Sequence, residues 1–224
     1  MIFKAETAAR CRAAELERAL RRVPHSANGR REEEFRFLSA RLFAFRAEVC
    51  YNKSGMNGLY LKSYEKNRAF LTARPKLKKC VYLADKLITV AVGAVYVILC
   101  AYVLFIAKSR APRDVIRLFA LPAICLALTS FLRRVVNAER PYERGVEPLF
   151  TKTRRGQSFP SRHLSSAAVI AGIGYFYLPV CGVLCTIFGA ALFYTRFACG
   201  WHFPRDLLCG ALLGAACALP AFLI

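Results

Sequence analysis

The feature that most constrains this chain is a series of long apolar stretches. Leu87–Ala107 runs for 21 residues without a formal charge, which is enough helix to cross a hydrocarbon core of about 30 Å at about 1.5 Å per residue. Val115–Leu132 is interrupted only by Arg117, whose long side chain can reach a membrane interface. Leu164–Thr195 and Leu207–Ile224 also lack charged side chains. These stretches predict an all-α integral membrane helical bundle and disfavour a soluble helical core.

The stretch Leu164–Thr195 is too long for one upright span. Its 32 uncharged residues would extend for about 48 Å as a single helix. The segment "YLPVCG" near its middle contains Pro179, and proline breaks a helix because it lacks a backbone N–H. The stretch therefore predicts a hairpin of two short helices, which brings the count to about five spans.

Charge is segregated along the chain. The net charge is +20 although 56% of the residues are hydrophobic. Residues 1–79 hold 19 Lys and Arg against 8 Asp and Glu, a net charge of +11. We therefore predict two parts, a basic, partly helical N-terminal extension at 1–79 and a transmembrane domain at 80–224.

The extension has features of a helix that lies on a membrane surface. Residues 5–22 are rich in Ala, Leu, Glu and Arg, and between residues 31 and 50 Phe35, Leu38, Leu42 and Phe45 recur at helical spacing among arginines. That pattern is typical of a basic amphipathic helix on an anionic membrane. A solvated extension without a specific ligand is an equal alternative, and nucleic-acid binding ranks below both because no motif accompanies the charge.

Neither targeting nor cysteine chemistry is expected. The first 22 residues lack the apolar core of a signal peptide. The chain has ten cysteines, but most lie within or beside the apolar stretches, and none has CxxC or Cys/His metal spacing. A thiol in such a place behaves as a small apolar side chain.

Counting crossings brings three polar clusters to one face of the membrane. One follows the second span, one begins the third, and one lies between the fourth and the fifth. Two of the three histidines in the chain belong to them, and ionisable groups near a membrane tend to be functional. The clusters are Arg133/Arg140, Ser161/Arg162/His163 and Arg196/His202/Asp206.

These residue types suit the binding and transfer of phosphate. Arginine pairs with phosphate oxygens through a planar fork of donors, and Ser161 occupies the N-cap position of a helix whose first N–H groups would face the same anion. His202 precedes Asp206 by four residues, with Pro204 as a first helical residue between them. A carboxylate that orients the imidazole makes it a nucleophile, and His163 can donate the proton to the leaving group. We expect no metal and no cofactor, because the arginines supply the positive charge.

The spacing of these residues resembles the type 2 phosphatidic acid phosphatase superfamily, which includes the vanadium haloperoxidases. The signature of that family has three parts, Lys-x6-Arg-Pro, Pro-Ser-Gly-His and Ser-Arg-x5-His-x3-Asp. The matching segments, in order and with the spacing intact, are "RRVVNAERP" at 133–141, "PSRH" at 160–163 and "TRFACGWHFPRD" at 195–206. The family lysine, glycine and serine are replaced by Arg133, Arg162 and Thr195, and none of these changes removes a reactive group.

The resemblance implies a role for each residue. His202 would be the nucleophile, Asp206 its partner and His163 the general acid. The phosphate would be held by Arg133, Arg140, Ser161, Arg162 and Arg196.

The implied activity is that of a membrane lipid phosphatase, in a multi-pass protein of the cell membrane. Phosphatidate, phosphatidylglycerol phosphate and polyprenyl diphosphate are the candidate substrates. A phosphotransferase with an acceptor other than water, and a non-enzymatic membrane scaffold or lipid-binding relative, are the alternatives. The catalytic face of this family usually looks out of the cytoplasm, whereas Lys76, Lys78 and Lys79 beside the first span indicate the opposite, so both orientations stay open.

Overall fold

The structure is a computed structural model that describes residues 57–107 and 111–223, without the side chains of 57–59. The helices expected at 5–22 and 31–50, and the contact of the extension with an anionic membrane, fall outside the described residues. The described residues contain no β-strand, so the prediction of an all-α fold is confirmed. The helices are α1 (Asn57–Thr72), α2 (Pro75–Ala101), α3 (Pro112–Val115), α4 (Leu121–Val136), α5 (Arg162–Tyr177), α6 (Pro179–Ala198) and α7 (Pro204–Ala218).

Shorter helical turns extend or join these helices. A π-helical turn at Tyr102–Ile106 continues α2, and another at Ile116–Ala120 connects α3 to α4. Turns of 3-10 helix lie at Pro141–Arg144 and at Leu219–Phe222. As a result, each of the first two apolar stretches forms a continuous helix that is longer than its α-helical part alone.

Helices long and apolar enough to cross a membrane form most of the described chain. There are 4 of them within the described residues, Pro75–Ile106, Pro112–Arg144, Pro179–Ala198 and Pro204–Phe222. Their outer faces expose large apolar side chains such as Leu87, Val90 and Phe105, as expected where helices contact lipid. With 16 residues, α5 is shorter than these four, and the count of five spans stays a prediction.

The break inside the long third stretch is confirmed. Helix α5 ends at Tyr177 and α6 begins at Pro179, with only Leu178 between them. The two helices approach closely just beside the break, because a Cβ on Gly174 would lie 2.6 Å from the backbone nitrogen of Gly182. Glycine at both positions therefore allows the tight hairpin.

Arg117 is buried at this end of the bundle. It is 7% exposed and forms an ion pair of 3.1 Å with the equally buried Asp114. The hydroxyl of Tyr177 donates to the same carboxylate, and the guanidinium lies 4.2 Å from the ring centroid of Phe176. The carboxylate of Asp114 thus neutralises the charge of Arg117, and its bond with Tyr177 ties α3 to the end of α5.

At the opposite end of the bundle, α7 lies directly against the start of α5. A Cβ on Gly210 would lie 2.5 Å from the carbonyl oxygen of Ser161, and one on Gly214 would lie 2.2 Å from that of Ser165. Small residues four apart allow helix backbones to touch in this way. The spacing therefore holds the first turns of α5 and α7 side by side.

Helix α1 packs on the same end of the bundle. Tyr64 is 1% exposed and donates from its hydroxyl to the carbonyl oxygen of Glu147 at 2.8 Å, while the ring of Tyr60 lies 5.3 Å from that of Phe203. Gly200, with a φ of +68°, leaves room for Tyr64, whose hydroxyl oxygen would lie 2.5 Å from a Cβ there. Residues 57–72 thus contact the loop that follows α6, and the division of the chain at residue 79 stays a prediction.

Candidate active site

All three polar clusters lie at the end of the bundle where α5 and α7 begin and where α4 and α6 end. Arg133 lies in the last turn of α4, and Arg196 in the last turn of α6. Ser161 is the N-cap of α5, Asp206 lies in the first turn of α7, and α7 begins at Pro204 as predicted. Residues far apart in sequence therefore surround one region.

His202 is at the centre of this region. Its side chain is almost fully buried. Nε2 lies 3.5 Å from Nη1 of Arg140, and Nδ1 lies 3.3 Å from Oγ of Ser158. A guanidinium can only donate, so Nε2 has its lone pair toward Arg140 and Nδ1 carries the hydrogen. His163 lies in the first turn of α5, and a positive charge on its ring would lower the pKa of His202 further.

Asp206 is separated from His202 by a serine that the sequence reasoning missed. Nδ1 of His202 lies 4.0 Å from Oδ2 of Asp206, which is longer than a hydrogen bond. Oγ of Ser158 lies between them and donates to Oδ2 of Asp206 at 2.5 Å. The one signal for Ser158 in the sequence is its position two residues before Pro160.

Asp206 also joins the two helices that begin at the site. Its Oδ2 accepts from the N–H of Phe203 at 3.3 Å, and its backbone oxygen accepts from the N–H of Ser161 at 2.9 Å. The first of these bonds caps α7, and the second connects α7 to the start of α5. The carboxylate is therefore fixed by the fold before any ligand binds.

Arg140 connects the polar segments around His202. Its Nε donates to the carbonyl oxygen of Gly156 at 3.1 Å, and its Nη1 donates to that of Trp201 at 3.2 Å. The backbone N–H groups of Arg140 and Gly156 both donate to Oε2 of Glu143, at 2.9 Å and 2.8 Å. These bonds hold the guanidinium of Arg140 against the imidazole of His202.

Arg133, not the adjacent Arg134, faces the site. Arg133 is 4% exposed and its Nη1 donates to the carbonyl oxygen of Pro160 at 2.8 Å, whereas Arg134 is exposed. Within the described part of the chain, Nε of Arg133 has no hydrogen-bond partner. A buried donor in that state is expected to bind a ligand or a water molecule.

The start of α5 provides further free donors. Ser161 is fully buried, its side chain does not cap α5, and its Oγ has no partner among the described residues. The first N–H groups of a helix, here those of Arg162, His163 and Leu164, have no acceptor within the helix. A buried hydroxyl beside the positive end of a helix forms a site for an anion. Arg162 and His163 are partly exposed.

Arg196 forms an ion pair with Asp85 of the first span. Asp85 is the second residue of the site that the sequence reasoning missed. Its Nε lies 3.1 Å from Oδ1 of Asp85, and its Nη2 lies 3.2 Å from Oδ2. Thr195 donates to Oδ1 of Asp85 at 3.2 Å. The only signal in the sequence is that Asp85 stands two residues before the apolar stretch that begins at Leu87, where a carboxylate needs a partner.

The surroundings keep His202 uncharged. Burial lowers the pKa of His202 well below its usual value, and the positive charges of Arg140, Arg196 and Arg133 lower it further. Lys152 lies at the edge of the same region, with Nζ 3.3 Å from the ring centroid of Trp201. Burial and the neighbouring Arg196 lower the pKa of Lys152 to about 8. The site therefore combines a neutral imidazole with a strongly positive environment.

Groups of His, Cys, Asp and Glu that could hold a metal do not occur within residues 57–107 and 111–223. The cysteines in these ranges are free thiols. The arginines and the unpaired donors of the site can bind an anion next to the uncharged imidazole of His202.

The fold defines a class, the multi-pass integral membrane proteins, and the site adds a cluster of arginines and histidines at one end of the helical bundle. Residues 114–224, just under half of the chain, match the model of the PAP2 superfamily, and this region belongs to that superfamily.

Two solved structures resemble the chain. A transmembrane PAP2 type phosphatidylglycerolphosphate phosphatase from Bacillus subtilis has 21% identity and a TM-score of 0.55, with 82% of this chain and 94% of that one covered. LpxE from Aquifex aeolicus has 17% identity and a TM-score of 0.47, with 81% and 94% covered. Among curated proteins no match was found. The similarity to the Bacillus subtilis protein shows that the chain shares its fold.

Proposed function

We propose that this chain is a metal-independent phosphatase that hydrolyses a phosphomonoester or a diphosphate of a membrane lipid through a phosphohistidine intermediate. The observation that carries the proposal is the environment of His202. Its Nε2 faces Arg140, while its Nδ1 faces Ser158 and, beyond it, Asp206. A buried neutral imidazole in this arrangement has its nucleophilic lone pair on the side where the cations are.

The two chemical steps need two histidines. In the first, Nε2 of His202 attacks phosphorus, the bond from phosphorus to the lipid oxygen breaks, and His163 donates the proton that converts the leaving alkoxide into an alcohol. In the second, water attacks the phosphohistidine and gives a proton to His163, and the bond between phosphorus and nitrogen breaks. Inorganic phosphate leaves, and both histidines return to their starting states.

The phosphate would be held by the donors around His202. Arg133, Arg140 and Arg196 would balance the negative charge on its oxygens, and Ser161 would donate its unpaired hydroxyl, as would the first N–H groups of α5. Donors that are already oriented stabilise the charge that develops in the transition state without having to reorganise. Arg162, at the start of α5, would add a further positive charge at the edge of the site.

A lipid substrate is supported by an apolar groove whose lining includes residues that are close to the site residues in the chain. Helices α5, α6 and α7 enclose about 670 Å³ of almost entirely apolar space. Leu164 lines the groove next to His163 in the chain, and Leu208 lines it two residues after Asp206. A hydrocarbon chain placed there would lead its phosphate to the histidines. Phosphatidylglycerol phosphate, on which the similar Bacillus protein acts, phosphatidate and polyprenyl diphosphate are the candidates.

The test measures phosphate release by the full chain, purified in detergent with EDTA, from a panel of these three lipids. His202→Gln is expected to lower the rate by about 10³-fold or more, because the nucleophile is lost. His25→Gln is the control, since it removes a histidine that stands more than 100 residues before the first motif in the sequence. A labelled lipid should leave an acid-labile, alkali-stable phosphoenzyme in the wild type and not in His202→Gln.

Three results would contradict the proposal. Equal phosphate release by the wild type and His202→Gln would show that His202 is not the nucleophile. Activity only with added Mg²⁺ would contradict the metal-independent mechanism. Product that forms only when an alcohol acceptor is added would identify a phosphotransferase.

A further inference from the structure

We infer that Ser158 is a positioning residue of the active site, whose hydroxyl transmits the effect of Asp206 to His202. The inference rests on the proposed function, because it concerns the orientation of the proposed nucleophile. It differs from the arrangement implied by the sequence motifs, in which the carboxylate four residues after the histidine acts on it directly.

The distances make the serine the link. Oγ of Ser158 lies 2.5 Å from Oδ2 of Asp206 and 3.3 Å from Nδ1 of His202. Nδ1 and Oδ2 themselves are 4.0 Å apart, beyond hydrogen-bond range. The exposures of the three residues are 0%, 3% and 0% for Ser158, His202 and Asp206, so bulk water has little access to this contact.

The donors and acceptors fix one direction for the hydrogen bonds that run from His202 through Ser158 to Asp206. A serine hydroxyl has one hydrogen to donate and two lone pairs to accept with. The hydrogen goes to the carboxylate of Asp206, since a carboxylate only accepts, and a lone pair of Ser158 accepts from the Nδ1–H of His202. With Nδ1 protonated, Nε2 has its lone pair free toward Arg140. The serine therefore selects the tautomer that can attack phosphorus.

The position of Ser158 does not depend on the histidine. Its backbone N–H donates to the carbonyl oxygen of Ala138 at 2.8 Å, which ties it to the segment after α4. Among the described residues, its hydroxyl bonds to His202 and Asp206 and to none of the arginines. Removing the hydroxyl should therefore disturb the orientation of the nucleophile and leave phosphate binding intact.

The test compares the turnover of Ser158→Ala, Asp206→Asn and the double variant in the lipid phosphatase assay. Ser158→Ala is expected to lower kcat by about 10²-fold, less than the ~10⁴-fold seen when a catalytic triad loses its carboxylate, with KM within about twofold of the wild type. If the hydroxyl of Ser158 and the carboxylate of Asp206 act in series on His202, the kcat of the double variant should be only slightly lower than that of the more impaired single variant. Ser165→Ala is the matched control. Ser165 is a buried serine of α5 whose hydroxyl donates to the backbone oxygen of Arg162 and accepts from the hydroxyl of Thr129.

The melting temperature of each variant in detergent shows that the protein is folded. A kcat of Ser158→Ala equal to that of Ser165→Ala would overturn the inference, and so would losses in the single variants that multiply in the double variant. Full activity in His202→Gln, or none in the wild type, would instead overturn the proposed function and this inference with it. A loss of activity in His202→Gln, with the kcat of Ser158→Ala unchanged, would overturn only the role of the serine.

Discussion

Gly210 determines how closely α7 approaches the start of α5, and the effect of Gly210→Ala can be calculated from the structure. The new Cβ would lie 2.5 Å from the carbonyl oxygen of Ser161 and 3.0 Å from its nitrogen, whereas ordinary contacts begin at 3.4 Å. Both neighbours are backbone atoms, so no change of rotamer can relieve the clash. The two helices must separate there by about 0.9 Å, the difference between 3.4 Å and 2.5 Å.

That separation acts directly on the site. The N–H of Ser161 donates to the backbone oxygen of Asp206 at 2.9 Å, and this bond holds the start of α5, with His163, against the helix that follows His202. A misplacement of about 1 Å between reacting groups can cost about 10²-fold in rate. We therefore expect Gly210→Ala to lower kcat by about 10²-fold while the bundle stays folded.

The matched control is Gly93→Ala, because a Cβ on this glycine of α2 would have no atom within 4 Å. Alanine is favoured over glycine in a helix by about 0.5–1 kcal/mol, so this variant should keep the kcat of the wild type and melt at the same temperature or higher. The assay is phosphate release in detergent, with the melting temperature measured on the same samples. The reasoning is refuted if Gly210→Ala turns over as fast as Gly93→Ala.

Three further predictions concern other parts of the site. Asp85→Asn leaves Arg196 as an unpaired buried charge, so the free energy of unfolding measured by denaturation in detergent should fall by about 3 kcal/mol; an unchanged value would contradict a stabilising pair. Gly189 lines the apolar groove, and a Cβ there would meet only the Cβ of Ala167, at 3.7 Å. Gly189→Leu should therefore raise KM for long-chain lipids and not for a short-chain phosphate ester, whereas equal KM changes would exclude the groove as the tail site. The positive charge of Arg140 lowers the pKa of His202, so Arg140→Gln should raise that pKa and move the acid limb of the profile of kcat/KM against pH to higher pH; a limb that stays in place would argue against His202 as the titrating nucleophile.

The elements that were predicted correctly depend on short segments of chain. Pro179 breaks the third apolar stretch and Pro204 begins α7, because proline lacks the N–H that the interior of a helix needs. Ser161 is the N-cap of α5 as expected. In each case the residue and the structure it determines are neighbours in the chain.

The contacts that were missed join distant segments. Ser158 bonds to His202 and Asp206 across 44 and 48 positions, and Asp85 reaches Arg196 across 111. A pattern of residue types indicates which groups are available but not which of them will be within 3 Å or so of each other.

The amino-acid sequence alone determined that the chain is helical, that it enters a membrane, and that the arginines and histidines of its three motifs collect at one end. Hydrocarbon cannot hydrogen-bond a backbone, so a long apolar stretch must satisfy its own N–H and C=O groups as a helix. The tertiary structure decided which carboxylate neutralises which arginine, which serine reaches the histidine and where an apolar groove opens. These follow from helix packing, in which glycines such as Gly210 set distances to a fraction of an ångström between residues that the sequence holds far apart.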